Sequence, residues 1–140
     1  MILLDTNVVS AVMAPHPEPL VLEWLDRQDT VTLYLSTITI AEIGYGLRVL
    51  PEGKRRRLLA ERFEHFVARG FEQRLLSFDQ HAAHEYAEVM GHRKEIGRPL
   101  SIPDGQIASV ARANHLAVAT RNVRDFEECG LDLINPFAAR

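Results

Sequence analysis

Three acidic residues sit where apolar segments end or helices begin: Asp5 directly after Ile2-Leu3-Leu4, Glu42 within Ile40-Ala41-Glu42-Ile43, and Asp104 after Ser101-Ile102-Pro103. Carboxylates brought together repel one another, and a divalent cation makes such a cluster tolerable. Hard oxygen donors, with water completing an octahedron, favour magnesium or manganese. Such a site suits phosphodiester hydrolysis, in which the ion helps generate the nucleophile from water and stabilises the charge of an in-line displacement. Asn122 and Asp125, after Ala117-Val118-Ala119-Thr120, are placed to hold a water linked to the ion.

Each of these residues also has a purely structural role open to it. Asp5 can cap a helix beginning near Val8. Thr39-x-x-Glu42 matches a capping box, and Ser101-x-x-Asp104 fits the same template with Pro103 in the first turn. Asn122 suits an Asx turn and Asp125 the first turn of a helix. The combination points to chemistry, because a strand end and two helix starts can converge on one edge of a sheet, where helix N-termini favour negative charge. No Ser-His-Asp or Cys-His arrangement competes.

The elements that must position these residues alternate in type. Short apolar runs at 2–4, 32–36, 74–78, 116–120 and 131–134 read as strands, and helical periodicity covers 8–13, 18–28, 39–50, 54–68, 81–96 and 102–114. The helix at 18–28 offers Leu22, Trp24 and Leu25 for burial, and the one at 54–68 offers Leu58, Leu59, Phe63, Phe66 and Val67. Strands alternating with helices predict an α/β fold with a mainly parallel central sheet, helices on both faces, and ligands bound beyond the carboxyl ends of the strands.

Composition bounds the class. The 140 residues are 46% apolar and 25% charged, with 16 Lys+Arg against 19 Asp+Glu, which predicts one soluble domain over 1–140 and argues against disorder. A net charge of -3 excludes a surface that is wholly a nucleic-acid footprint. The single Cys129 excludes an internal disulfide and favours a reducing, cytoplasmic location. Met1 to Asp5 has no basic leader, and no run approaches the ~20 apolar residues of a membrane span, so neither secretion nor a membrane partner is expected.

Several other features have weaker claims. Lys54-Arg55-Arg56-Arg57 could track an RNA backbone, but reads first as a solvated helix face. Arg93, Lys94 and Arg98 form a second basic group that could flank a substrate. His81, His84 and Glu88 fall on one helix face at a spacing that can bind zinc, although solvent-facing histidines are the commoner outcome. Gly44 and Gly46 read as close-packing positions, and the apolar surplus of the helices 39–50 and 54–68 predicts a dimer seam or a groove for a partner helix.

Four segments occur together: Leu3-Leu4-Asp5-Thr6-Asn7-Val8-Val9-Ser10, Ile38-Thr39-Ile40-Ala41-Glu42-Ile43-Gly44-Tyr45-Gly46, Ile102-Pro103-Asp104-Gly105-Gln106-Ile107-Ala108 and Ala119-Thr120-Arg121-Asn122. Their order and spacing resemble the PIN-domain ribonucleases, and among them the VapC toxins of bacterial toxin–antitoxin pairs, FitB-type proteins in particular. The resemblance covers almost the whole chain. It implies a three-layer α/β/α PIN-like nuclease domain, an acidic pocket for Mg2+ or Mn2+, and single-stranded or structured RNA as substrate. It also implies a small VapB-like antitoxin that blocks the site, a homodimer within a higher toxin–antitoxin complex, and DNA contact only through the antitoxin. Asp5, Glu42 and Asp104 match the family's three core acids; Asn122 stands where many relatives carry a fourth acid, with Asp125 three residues on. Thr6, Asn7 and Thr120, beside the matched acids, are expected to orient them.

Two other classes remain. In an aspartyl-nucleophile phosphatase Asp5 would be phosphorylated, but Asn7 occupies the position where that chemistry needs a second Asp. In a binding module the acids would only recruit a basic partner.

Overall fold

The computed structural model describes residues 1–138 of the chain; the expected domain limits of 1–140 include two residues outside that range. The elements run β1 (Ile2–Leu4), α1 (Thr6–Met13), α2 (Pro19–Asp26), a 3-10 turn (Thr30–Thr32), β2 (Leu33–Ser36), α3 (Thr37–Arg48) and α4 (Lys54–Gly70). They continue β3 (Leu75–Leu76), α5 (Gln80–Glu95), α6 (Ile102–Ala113), β4 (Ala117–Ala119), α7 (Val123–Phe126) and β5 (Leu133–Ile134). All strand pairs are parallel, in the order β3-β2-β1-β4-β5. Among the described residues no helix is long and apolar enough to cross a membrane.

Because β1 lies at the centre of the sheet, its side chains are buried on both faces, and its sequence is continuously apolar rather than alternating. Successive residues divide between two cores. Leu3 and Val118 pack with Val89, Ile107 and Val110 beneath α5 and α6. Leu4 and Ala119 pack with Val8, Val21, Trp24 and Phe63 on the side of α1 to α4. Helices thus cover both faces of one sheet, giving the three-layer α/β/α arrangement expected.

Local chemistry fixes the helix ends. Asp79 caps α5 by accepting from Ala82 N–H at 2.9 Å, and Gly97, at φ 74°, turns the chain after it. Strand β3 is shorter than the apolar run 74–78. Arg74, at its start, is held by donation to the Leu33 carbonyl at 2.8 Å and by stacking near Phe71.

Several sequence expectations need correction. Gly44 and Gly46 are not close-packing positions, since a Cβ at either would meet nothing within 4 Å. They lie on the open face of α3 beside exposed Tyr45. Leu22 and Leu58, assigned to the core, are exposed. Part of this apolar surplus lines a groove of about 320 Å³ between α1, α3 and α4, walled by Met13, Ile43, Leu47, Leu50 and Leu59.

The glycine that does pack closely is Gly105, buried in α6, where an added Cβ would overlap Met90 Sδ and come within 3.2 Å of Tyr86 Cε2 on α5. Small residues let α6 approach α5 and the sheet, and so set the position of its N-terminus. Gly105→Val is therefore expected to cost about 1–3 kcal/mol through overpacking, read as a lower urea midpoint with an unchanged m-value.

Candidate functional site

Asp5 is the residue at which β1 becomes α1. Its backbone N–H extends the sheet by donating to the Ala119 carbonyl at 2.9 Å, and its Oδ1 caps the helix by accepting from Thr6 N–H at 2.8 Å. The second oxygen, Oδ2, accepts the Thr120 hydroxyl at 2.8 Å. Asp5 is 4% exposed, and among the described residues no basic side chain contributes to its electrostatics. Burial pushes its pKa up to about 6, the Thr120 and Thr6 donors pull against that rise, and the charges of Asp104 and Glu42 add to it.

Glu42 reaches the same place from α3. The expected Thr39–Glu42 capping box does not form: α3 starts two residues earlier, and Ser36 caps it by accepting from Thr39 N–H at 3.2 Å. This frees Glu42 to accept the Thr6 hydroxyl at 2.7 Å. The hydroxyls of Thr6 and Thr39 lie 3.0 Å apart, and Ser36 donates to Thr39 at 3.5 Å. A ladder of hydroxyls thus joins the end of β2 to Glu42. Ser36 and Thr39, fully buried, were not assigned to the site, because short hydroxyl residues at strand ends give no distinctive spacing.

Asp104 occupies the first turn of α6, with Ser101 Oγ accepting its N–H at 3.3 Å, as expected for that cap. Its pKa is raised, first by burial and then by Asp125, while the Ser101 hydroxyl and Arg93 lower it. Asn7 links α1 to the end of β4: its Nδ2 donates to Thr120 Oγ1 at 3.4 Å, and its Oδ1 accepts Arg121 N–H at 3.2 Å. The turn at this strand end belongs to Thr120, whose hydroxyl accepts Asn122 N–H at 3.0 Å, and not to an Asx turn of Asn122.

Asp5, Glu42, Asp104 and Asn122 line one cavity of about 490 Å³, together with Thr6, Asn7, Ser10 and Arg121. Asp125 lies outside it, exposed in α7, and reaches Asp104 only by its charge. Thr120 is buried beneath it. Among the described residues no three His, Cys, Asp or Glu side chains stand close enough to form a ready-made metal nest. Glu42 is tied to Thr6.

The donor set nevertheless fits a hard divalent ion. The donors are carboxylate, hydroxyl and amide oxygens, and no His or Cys lines the cavity. A carboxylate whose pKa is raised by burial is one that an ion would stabilise. His81, His84 and Glu88 are exposed and do not assemble into a zinc site.

Arg93 does not flank the cavity. It is 4% exposed, with Nε donating to the Arg98 carbonyl at 2.6 Å and Nη1 to the carbonyls of Asp125 and Glu127 at 2.9 and 2.7 Å. A buried guanidinium therefore pins the 122–129 segment behind Asp104. Arg98 turns outward to Arg124 O and Glu127, and Lys94 is exposed.

Comparison with known proteins agrees with this geometry. Residues 2–130 match the PIN domain family model, and the chain belongs to that family. It is 44% identical over 137 residues to VapC ribonuclease Y4jK of Sinorhizobium fredii, covering 98% of each chain. It is 39% identical to toxin FitB of Neisseria gonorrhoeae, covering 98% of this chain and 99% of that one. The structure of FitAB bound to an IR36 DNA fragment contains a chain that superposes with a TM-score of 0.93 at 37% identity, covering 100% of this chain and 98% of that one.

Two outcomes follow. The folded Asp5 binds its proton more tightly than the ordinary value of 3.8 allows, so its contribution to stability falls as pH rises from there through about 6. Without divalent metal, Asp5→Asn should gain up to about 3 kcal/mol of stability at neutral pH and almost none at about pH 4, measured by urea denaturation in chelator. Arg93→Leu leaves three carbonyls without their donor and is expected to lower stability by about 3 kcal/mol in the same assay.

Proposed function

We propose that this chain, acting as one domain over 1–140 in the cytoplasm, is a metal-dependent endoribonuclease and the toxin of a toxin–antitoxin pair. The observation that carries the reading is the convergence of Asp5, Glu42 and Asp104 on one polar cavity at the carboxyl edge of a PIN-domain sheet. The names of its relatives, a VapC ribonuclease and the FitB toxin, support RNA as the substrate.

Asp5 and Asp104 are the residues to hold the ion, with Glu42 as the third acid. Magnesium or manganese there would supply positive charge that polarises the phosphodiester and acidifies water. Thr120 and the Thr6 N–H fix both oxygens of Asp5, so its carboxylate would be presented to an ion already oriented. Thr6 engages Glu42 Oε1, leaving Oε2 to accept a proton from water. The N-termini of α1 and α6 favour the negative charge that builds on phosphate oxygens during displacement. Asn122 contributes an amide that orients water and brings no charge.

A VapB-like antitoxin would block this site. The apolar groove shares Thr6, Ser10 and Glu42 with the acidic cavity, so a helix bound in the groove would end against the acids. In this reading the toxin forms a homodimer within the larger complex and meets DNA only through the antitoxin.

The test is cleavage of total RNA by antitoxin-free protein with manganese. Asp104→Asn, folded equally well, is expected to lose at least about 100-fold in rate, and Thr120→Val about tenfold or more. RNA left whole by folded, manganese-loaded protein would overturn the nuclease reading in favour of a binding role.

A further inference from the structure

Among the described residues, Arg121 is the one basic side chain lining the acidic cavity. It is exposed, yet it enters none of the ion pairs found among the described residues, although three carboxylates share its cavity. Asp5 is satisfied instead by the Thr6 N–H and the Thr120 hydroxyl. The Arg121 guanidinium lies over the ring of Phe137, 4.0 Å from its centroid. Both ends of this pair are anchored. The Arg121 N–H is bound to Asn7 Oδ1, and Phe137 is half-buried against the α1–α4 core with its own N–H held by Asn135 Oδ1 at 2.9 Å. Stacking occupies the face of a guanidinium and leaves its edge donors free, so this charge is held in place with no acidic partner among the described residues.

An RNA strand entering a cavity lined by carboxylates is repelled unless a cation offsets the repulsion, and an arginine edge binds a phosphate through two parallel charge-assisted hydrogen bonds. We propose that Arg121, held by Phe137, binds a backbone phosphate of the RNA beside the scissile one and so seats the strand against the acids. This rests on the nuclease reading. Phe137 is then a positioning residue, acting only through Arg121. The contact reads no base, so it contributes affinity common to all sequences.

The test titrates a fluorescein-labelled oligouridylate, at several salt concentrations, into full-length protein carrying Asp104→Asn, so that binding is read without cleavage. Arg121→Gln is expected to weaken binding about tenfold at low salt and to flatten the salt slope by about 0.7, the value for one phosphate contact on a single strand. Phe137→Leu should weaken binding about threefold, Phe137→Tyr should restore it, and neither should matter once Arg121 is Gln. In protein with all its acids, Arg121→Gln should raise KM for RNA cleavage and leave kcat within about twofold. An unchanged salt slope and KM in Arg121→Gln, with Asp104→Asn still abolishing cleavage, overturns this inference and leaves the nuclease intact. Protein with all its acids that neither binds the oligouridylate nor cuts RNA overturns both.

Discussion

Asp5 ends the central strand of a parallel sheet, buried and hydrogen-bonded on both oxygens, and much of the rest of the site answers to that one carboxylate. Burial raises its pKa to about 6, so the ionised form persists at neutral pH only against a desolvation cost. The surrounding structure lowers that cost with directed donors rather than with an arginine or lysine. Thr120 from β4 and the first N–H of α1 point at the two oxygens, and two further acids stand across the cavity. A site so arranged would be relieved by a small, hard cation. The burial that makes the carboxylate costly to ionise would make it receptive to an ion.

The groups that hold the acids come from separate parts of the chain. Glu42 is fixed through Thr6, and Thr6 through Thr39 and Ser36, so the third acid depends on the end of β2 as well as on α1. Asp104 depends on α6, whose small residues allow close packing on α5, and on Arg93, which anchors the segment behind it through backbone carbonyls. The sheet sets where the acids begin, and the hydroxyls and the buried guanidinium set where they point.

Much of this was legible in the sequence. Ile2-Leu3-Leu4 followed by Asp5 is a strand buried on both faces with a carboxylate at its end, and the alternation of strands and helices gave the layers. Four short motifs in order pointed to the family, and the three acids they carry line one cavity. What stayed hidden depends on side-chain direction. Thr39 and Glu42 fit a local capping box at the right spacing, and only the register of α3, capped instead by Ser36, shows that Glu42 looks across to Thr6. Arg93 looked like a surface cation in a basic cluster, since no local pattern marks an arginine two of whose acceptors are carbonyls more than thirty residues away. Gly44 and Gly46 illustrate the converse: glycines in an apolar helix suggest tight packing, whereas here they border open surface. Phe137 gave no signal, because its partner Arg121 is brought to it by β4 and β5.

The hydrogen bond between Asp5 and Thr120 closes a loop of 115 residues. Strand β1 is made within the first few residues of the chain but gains its β4 neighbour only when residues 117–119 have been added. During synthesis, Asp5 therefore has neither its orienting hydroxyl nor Asp104 until residues 104–120 have emerged from the ribosome. The cavity is therefore complete only once the chain from residue 5 to residue 120 has been made.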